Sequence, residues 1–196
     1  METTIAKTRD LIQDNLKNGY DLFEYLTSSV FTLSESNIDE STIAIFINGV
    51  DHTGSGEWSF DSNTNKITIE GLVVSDIVEV HYQAYIKYSD NEIKSYIRAA
   101  FVYISVEKYA DFTIGSAEAI VPVPTEAEDN LIALVASILI AGSIRSYRTP
   151  EISINFEDTM SKEQKIKFAV RKYKKLGQYL DYVDLKANMY HEEDEL

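Results

Sequence analysis

The sequence contains no cysteine. Disulfides, thiolate zinc sites and thiol nucleophiles are thereby excluded, an intracellular origin is the simplest expectation, and stability has to come from packing. Histidine is scarce as well: His52, His81 and His191 fall in a turn, a strand and the tail, and no two stand at metal-ligand spacing. No serine occupies a G-x-S-x-G elbow, so Ser-His-Asp hydrolysis has no motif to stand on. Long apolar runs are missing too. The longest, Leu131 to Gly142, falls short of the roughly 18 residues that cross a bilayer and reads as a buried helix. Met1 to Asp10 is polar and lacks the apolar stretch of a secretory signal, so no export by that route is expected. Glu193-Asp194-Glu195-Leu196 is similar in form to an ER-retention tail, but that address acts only after entry to the secretory pathway. Positive charge is in deficit: 18 Lys and Arg face 32 Asp and Glu, a formal net charge of −14. Wrapping of nucleic acid, which relies on Lys and Arg displacing counterions, is disfavoured.

What is present is enough chain for a real core, 196 residues of which 44% are hydrophobic. Ile5, Leu11, Ile12 and Leu16 recur at near-helical spacing and predict a short helix from about Thr4 to Asn15, stopped by Asn18-Gly19. From Tyr20 to Tyr88 the period is two. Strands are predicted at Ser29–Leu33, Thr42–Ile47, Glu57–Phe60, Lys66–Glu70 and Ile77–Tyr85, with Tyr20–Tyr25 as a further one. Asn48-Gly49 and Asp61 to Asn65 are turn signals that imply two hairpins. In the last strand Val78, Val80, Tyr82 and Ala84 share one face, and Glu79, His81 and Gln83 the other, so one face is buried and one wet.

After Tyr88 the period becomes 3.6, with three helix-start signatures: Ser89 with Glu92, Thr125 with Glu128, and Ser161 with Gln164. The first helix is predicted from Asp90 to Asp111 on the stripe Ile93, Tyr96, Ile97, Ala100, Phe101 and Ile104. The second follows the stiff lead-in Val121-Pro122-Val123-Pro124. It is apolar on every side from Leu131 to Ala141, so it must be covered all round. The third is predicted from Lys162 to Met189 on Ile166, Ala169, Val170, Tyr173, Leu176, Leu180 and Val183. Thr149-Pro150 forces an extended start on the segment Arg148–Met160, in which Ile152, Ile154 and Phe156 alternate with polar residues. Such a strand could join the edge of the main β module or pair with a neighbouring subunit.

The expected fold is α+β: a small N-terminal antiparallel β module, sandwich-like, followed by a helical module of three main helices with an extended loop before the last. The divisions are 1–19 (N-terminal helix or arm), 20–88 (β module), 89–190 (helical connector module) and 191–196 (acidic tail), with no internal repeat.

No constellation for catalysis emerges. Gly54-Ser55-Gly56 leads into a strand rather than a helix and reads as a hairpin tip, and the carboxylate pair Asp181 and Asp184 reads as a solvated helix face. His191 with the terminal acids could chelate a cation loosely or form a solvated tail. The expectation is a protein with no catalytic residue, no cofactor and no metal. Lys162, Lys165, Lys167, Arg171, Lys172, Lys174 and Lys175 crowd the start of the last helix, against its dipole. The cluster is either a patch for an acidic partner or a DNA backbone, or an ordinary solvated face. Thirteen tyrosines, including Tyr88, Tyr96, Tyr103, Tyr109, Tyr147, Tyr173, Tyr179, Tyr182 and Tyr190 in the helical part, suit half-buried interfaces or simply cap the core.

Ser89-Asp90-Asn91-Glu92-Ile93 opening a helix, the apolar helix Leu131–Ala141, and a last helix with Tyr173 and Leu176 behind an extended loop carry a resemblance to a known family. The stretch from Thr42 through Asn48-Gly49-Val50 to Val78-Glu79-Val80-His81-Tyr82 is similar to the small β domains of virion neck and tail proteins. In pattern and order the chain resembles the head-to-tail connector or adaptor proteins of tailed phages. The resemblance implies a homo-oligomeric ring, usually of twelve copies, in the neck of the virion and assembled in the host cytoplasm. Its partners would be the portal protein and a tail or neck completion protein. DNA would pass through the channel without sequence-specific binding, and no membrane would be involved. Ile152, Ile154 and Phe156 are then candidate contacts between subunits or with the portal, and Lys165, Lys167, Arg171, Lys172, Lys174 and Lys175 a candidate basic contact patch. The sizeable β module departs from the mainly helical adaptors. The alternative is a β-sandwich binding module for carbohydrate or a host surface, with Trp58, Tyr82 and Tyr85 as an aromatic platform.

Overall fold

A computed structural model describes residues 1–116 and 118–193, with side chains described through Gln178. The acidic tail 191–196, Asp181, Asp184, Tyr179, Tyr182 and Tyr190 lie outside the described side chains. The chain is α+β and forms two compact units: Asp14–Asp90, and a helical unit built from Met1–Gln13 together with everything from Asn91 onward. The first helix thus belongs with the later helices, and the β unit is an insertion between α1 and α2.

In the β unit, β1 (Leu16–Glu24), β3 (Ile38–Ile47), β4 (Val50–Asp51) and β7 (Ile77–Tyr85) form an antiparallel sheet in the order β1-β7-β3-β4. The strands β2 (Val30–Thr32), β5 (Trp58–Asp61) and β6 (Lys66–Ile69) form a second sheet in the order β2-β6-β5. One apolar core joins them: Phe31, Ile67 and Ile69 from the second sheet pack with Ile43, Ile45, Val78, Val80, Tyr82 and Ala84 from the first. Period-two alternation along β7 is what fills it, since Val78, Val80, Tyr82 and Ala84 are buried while the residues between them are not. Asn48 and Gly49 both take positive φ, 50° and 78°, and turn β3 into β4 as their type predicts. In β3 the register shifts between Asp39 and Ala44, and the Thr42 hydroxyl accepts the Gln83 N–H at 2.8 Å in the gap.

The expected helix over Thr4–Asn15 ends earlier, and Asn18-Gly19 does not stop it. α1 spans Glu2–Ile12, Gln13 closes it in the left-handed region, and Asn18 and Gly19 lie inside β1. Gly19 is there for a different reason: it faces Tyr82 across the ladder, and the tyrosine ring lies over the space a Cβ would need.

In the helical unit, α2 (Asp90–Val106) buries Ile93, Ile97, Ala100, Phe101 and Ile104 as the stripe predicts. It stops short of Asp111, because Lys108 takes φ 55° and its N–H and that of Tyr109 return to Ser105 and Ile104 carbonyls. A short hairpin follows, β8 (Thr113–Ile114) with β9 (Ile120–Val121). α3 (Glu126–Ile140) opens on a complete capping box between Thr125 and Glu128, and α4 (Lys162–Glu193) opens on reciprocal bonds between Ser161 and Gln164. Every residue of α3 from Asp129 to Ile138 is buried, with α1 and α4 packed against it. Ile166, Ala169, Val170 and Tyr173 supply the α4 side.

The extended segment Arg148–Met160 finds its strand partner within its own unit rather than in the sheets of the β unit. β10 (Ser146–Arg148) and β11 (Ser153–Asn155) pair with each other, around a turn in which the Thr149 N–H donates to the Ile152 carbonyl at 2.8 Å.

Candidate functional site

The residues expected to make outside contacts separate into two kinds. Ile154 and Phe156 are buried, 1% and 6% exposed, with the Phe156 ring edge-on to Phe168 at 6.2 Å; only Ile152 is half-buried. Ile154 and Phe156 therefore belong to the interior of their own unit, because the Pro150 turn folds β11 back onto β10 and directs them inward. Lys165 also leaves the basic patch. It is buried, and its Nζ donates to the carbonyls of Gly142 at 2.7 Å and Ile144 at 2.8 Å, while Lys162 Nζ donates to Leu139 at 2.7 Å. Lys162 supplies a donor at the C-terminal end of α3, where carbonyls have no intrahelical partner and the dipole favours positive charge, and Lys165 ties down the turn just beyond it. Part of the charge that opposes the α4 dipole is thus there to serve α3.

What remains on α4 is a stripe. Lys167, Arg171, Lys174 and Lys175 recur at helical spacing on an exposed face, with Lys172 beside them over the Phe168 ring. Among the described residues neutralisation is slight: Arg171 approaches Glu107 at 3.8 Å, and Lys174 Nζ donates to the Lys108 carbonyl at 3.2 Å.

Elsewhere on the helical unit, Val102 and Val106 of α2 are 62% and 69% exposed. They border a groove of about 740 Å³ together with Phe101, Phe112 and Ile114. Val121 and Val123 of the lead-in to α3 are also exposed.

The aromatic platform expected from Trp58, Tyr82 and Tyr85 does not form. Tyr82 is buried, donates to Asp21 Oδ2 at 2.6 Å and accepts the Glu35 N–H at 3.3 Å, and burial together with the Asp21 bond raises its phenol above the ordinary value. The Trp58 indole N–H is committed to the Thr53 carbonyl at 2.9 Å, and Trp58 packs against the β core. A different cluster occupies the outer face of the β1-β7-β3 sheet. Across the ladder Tyr20 pairs with His81 and Leu22 with Glu79, and on the other side Ala44 pairs with His81 and Phe46 with Glu79. His81 lies edge-on to Tyr20 at 4.9 Å and to Phe46 at 5.4 Å, with a shallow concavity on either side of it. Tyr20 and Leu22 are 51% and 56% exposed. Glu24, Glu79 and Asp39 stand around these residues. Sequence reading placed His81 on the wet face; it missed the aromatic neighbours because pairing register, not spacing, brings them together.

The remaining polar clusters have structural work. Asp129 accepts from the Thr4 hydroxyl and pairs with Lys7 at 2.9 Å, fixing α1 to α3. The Tyr173 hydroxyl donates to Tyr147 at 3.3 Å, and burial raises both phenols above the ordinary value, that of Tyr173 strongly, so the pair stays protonated. Among the described residues no group of histidines and carboxylates is arranged to hold a metal ion, and no helix is long and apolar enough to cross a membrane.

A scan against protein-family models finds no match, and a search of curated proteins finds no relative.

Proposed function

We propose that this chain is a structural protein of a tailed-phage virion, a head-to-tail connector that forms a ring beneath the portal and continues the DNA channel. The observation that carries the reading is the outer surface of the helical unit. Its core is closely packed, yet Val102, Val106, Val121 and Val123 remain in solvent, and the α4 stripe, which reaches the end of α2, has few partners among the described residues. The all-round apolar α3 does not add to this support, since its own chain encloses it. Exposed apolar area with charged surroundings is the surface type that neighbouring subunits cover. The reading also draws on the capped helices and the apolar α3 that carry the family resemblance, although the sizeable β unit departs from the mainly helical adaptors. A protein that joins others in this way needs no catalytic group, and its partners are further copies, the portal and a tail component.

The test is electron microscopy and sedimentation of the purified chain, alone and with a portal ring. Closed rings or portal-capped complexes are expected. Isolated monomers under both conditions would refute the reading.

A second reading, a binding module for carbohydrate, is favoured by the Tyr20, His81 and Phe46 cluster with the Asn18 and Gln83 amides beside it. Binding of the full chain to a glycan array, lost on replacing Tyr20 and Phe46 by alanine, is its expected signature.

A further inference from the structure

Charge is segregated between the two units. Asp14–Asp90 holds 13 Asp and Glu against three Lys, a formal net charge of −10 of the chain's −14. The first half of α4, Lys162 to Lys175, holds seven Lys and Arg against the single acid Glu163. Two of those lysines are spent on the end of α3 and the turn after it, which leaves five exposed cations, one of them near a carboxylate among the described residues. The outer sheet face of the acidic unit exposes Tyr20 and Leu22, with Phe46 and His81 beside them and Glu24, Glu79 and Asp39 around them.

We infer that the basic stripe of α4 in one copy docks on the outer face of the β1-β7-β3 sheet in the next copy, a contact that rests on the ring reading above. Charge complementarity selects the occupant: carboxylates stand where Lys167, Arg171 and Lys175 can reach them, and the rings of Tyr20 and Phe46 receive the cations' apolar stems and charge. Dimensions agree as well. From Lys167 to Gln178 the helix advances about 16 Å, and from Ile77 to Gln83 the sheet face runs about 20 Å. The two surfaces are different patches on the same chain, so the contact is heterologous and propagates from copy to copy until a ring closes. A patch of this size is smaller than the roughly 800 Å² per partner of a stable pair, so isolated dimers are weak and the closed ring is the favoured species.

The test uses the full chain in sedimentation velocity, with three variants. One carries Lys167→Glu, Arg171→Glu and Lys175→Glu; another carries Glu24→Lys and Glu79→Lys; the third combines all five. All five positions face solvent at least in part, and circular dichroism verifies that each variant is folded. Each single-surface variant is expected to weaken self-association by about tenfold or more, and the combination to recover most of the loss. Raising salt should weaken the wild type in the same direction. Wild-type assembly unaffected by either charge set overturns this contact and leaves the ring reading in place. Loss without recovery in the combined variant overturns direct pairing of the two surfaces. A wild type that is monomeric alone overturns the contact, and monomeric also with the portal it overturns the ring reading. Fluorescence anisotropy with a DNA duplex supplies one more outcome: binding lost only in the α4 variant, with assembly intact, reassigns the stripe to DNA.

Discussion

Replacing Gly19 by alanine tests the core of the β unit at a single point. A Cβ at this position would stand 2.2 Å from Tyr82 Cε2, 2.6 Å from Cζ and 2.8 Å from Cδ2. Comfortable carbon contacts begin near 3.5 Å, so the ring has to retreat by about 1 Å or more. Its hydroxyl is held at 2.6 Å from Asp21 Oδ2 and 3.2 Å from Ser34 Oγ, and a shift of that size takes the Asp21 bond out of range. A hydrogen bond to a carboxylate contributes about 1.5–3 kcal/mol, and overpacking adds about 1–3 kcal/mol. Alanine returns about 0.4–1 kcal/mol by restricting the unfolded chain. The net destabilisation expected is about 2–4 kcal/mol. Trp58 is the only tryptophan and lies in this unit, so urea unfolding followed by its fluorescence reports the β unit selectively. The same substitution made together with Tyr82→Leu should cost less than about 1 kcal/mol beyond Tyr82→Leu alone, because the clashing ring is gone. An equal cost in both backgrounds, or a Gly19→Ala protein as stable as wild type, would refute the reasoning.

Two further predictions concern charge. Lys165→Met should destabilise the helical unit by about 2–4 kcal/mol, since it removes the two buried bonds to the Gly142 and Ile144 carbonyls after α3, whereas exposed Lys167→Met should stay within about 0.5 kcal/mol. Circular dichroism during denaturation separates the two, and equal effects would return Lys165 to the surface patch. Asp51, Asp61 and Asp76 are held below the ordinary aspartate value by hydrogen bonds, from the Thr53 hydroxyl and N–H, from the Thr64 hydroxyl and the Asn63 N–H, and from the Val73 N–H and the Asn48 amide, respectively. A lowered folded value means that their stabilisation is complete above the unfolded value of about 3.9 and is lost as pH falls through the folded one. Carboxyl NMR titration should find all three below about 3.9, and any value above it contradicts the turn geometry.

How much of this was legible in the sequence depended on whether a local residue type decided the outcome. Asn48-Gly49 and the Thr125 and Ser161 capping boxes are local chemistry, and the turn and helix starts fell where those residues required. The ends of α1 and α2 were hidden because Gln13 and Lys108 take the left-handed conformation that usually announces itself as glycine. Gly19 was visible as a special residue but misassigned, since a glycine stopping a helix and a glycine lying under an aromatic ring look alike in one dimension. The site was less readable still. The inward turn of Ile154 and Phe156, the service of Lys165 to another helix and the meeting of Tyr20 with Phe46 around His81 all depend on contacts between residues far apart in the chain. Composition carried part of the site through, the five exposed cations of α4 without Lys162 and Lys165, because charge on an exposed helix face needs no partner to be recognised.

The insertion of the β unit has a consequence for biogenesis. Asn15 and Ile86 are joined by a backbone hydrogen bond, so the inserted strands leave and return side by side, and the two sheets between them can pack together as soon as they emerge from the ribosome. α1 cannot. Its anchor at Asp129 lies 125 residues downstream of Thr4, which at cellular synthesis rates is a delay of about 6–25 s. This helix, made before the β unit, is therefore placed well after it, and during that interval Ile5 and Ile12 are apolar surface a chaperone would meet.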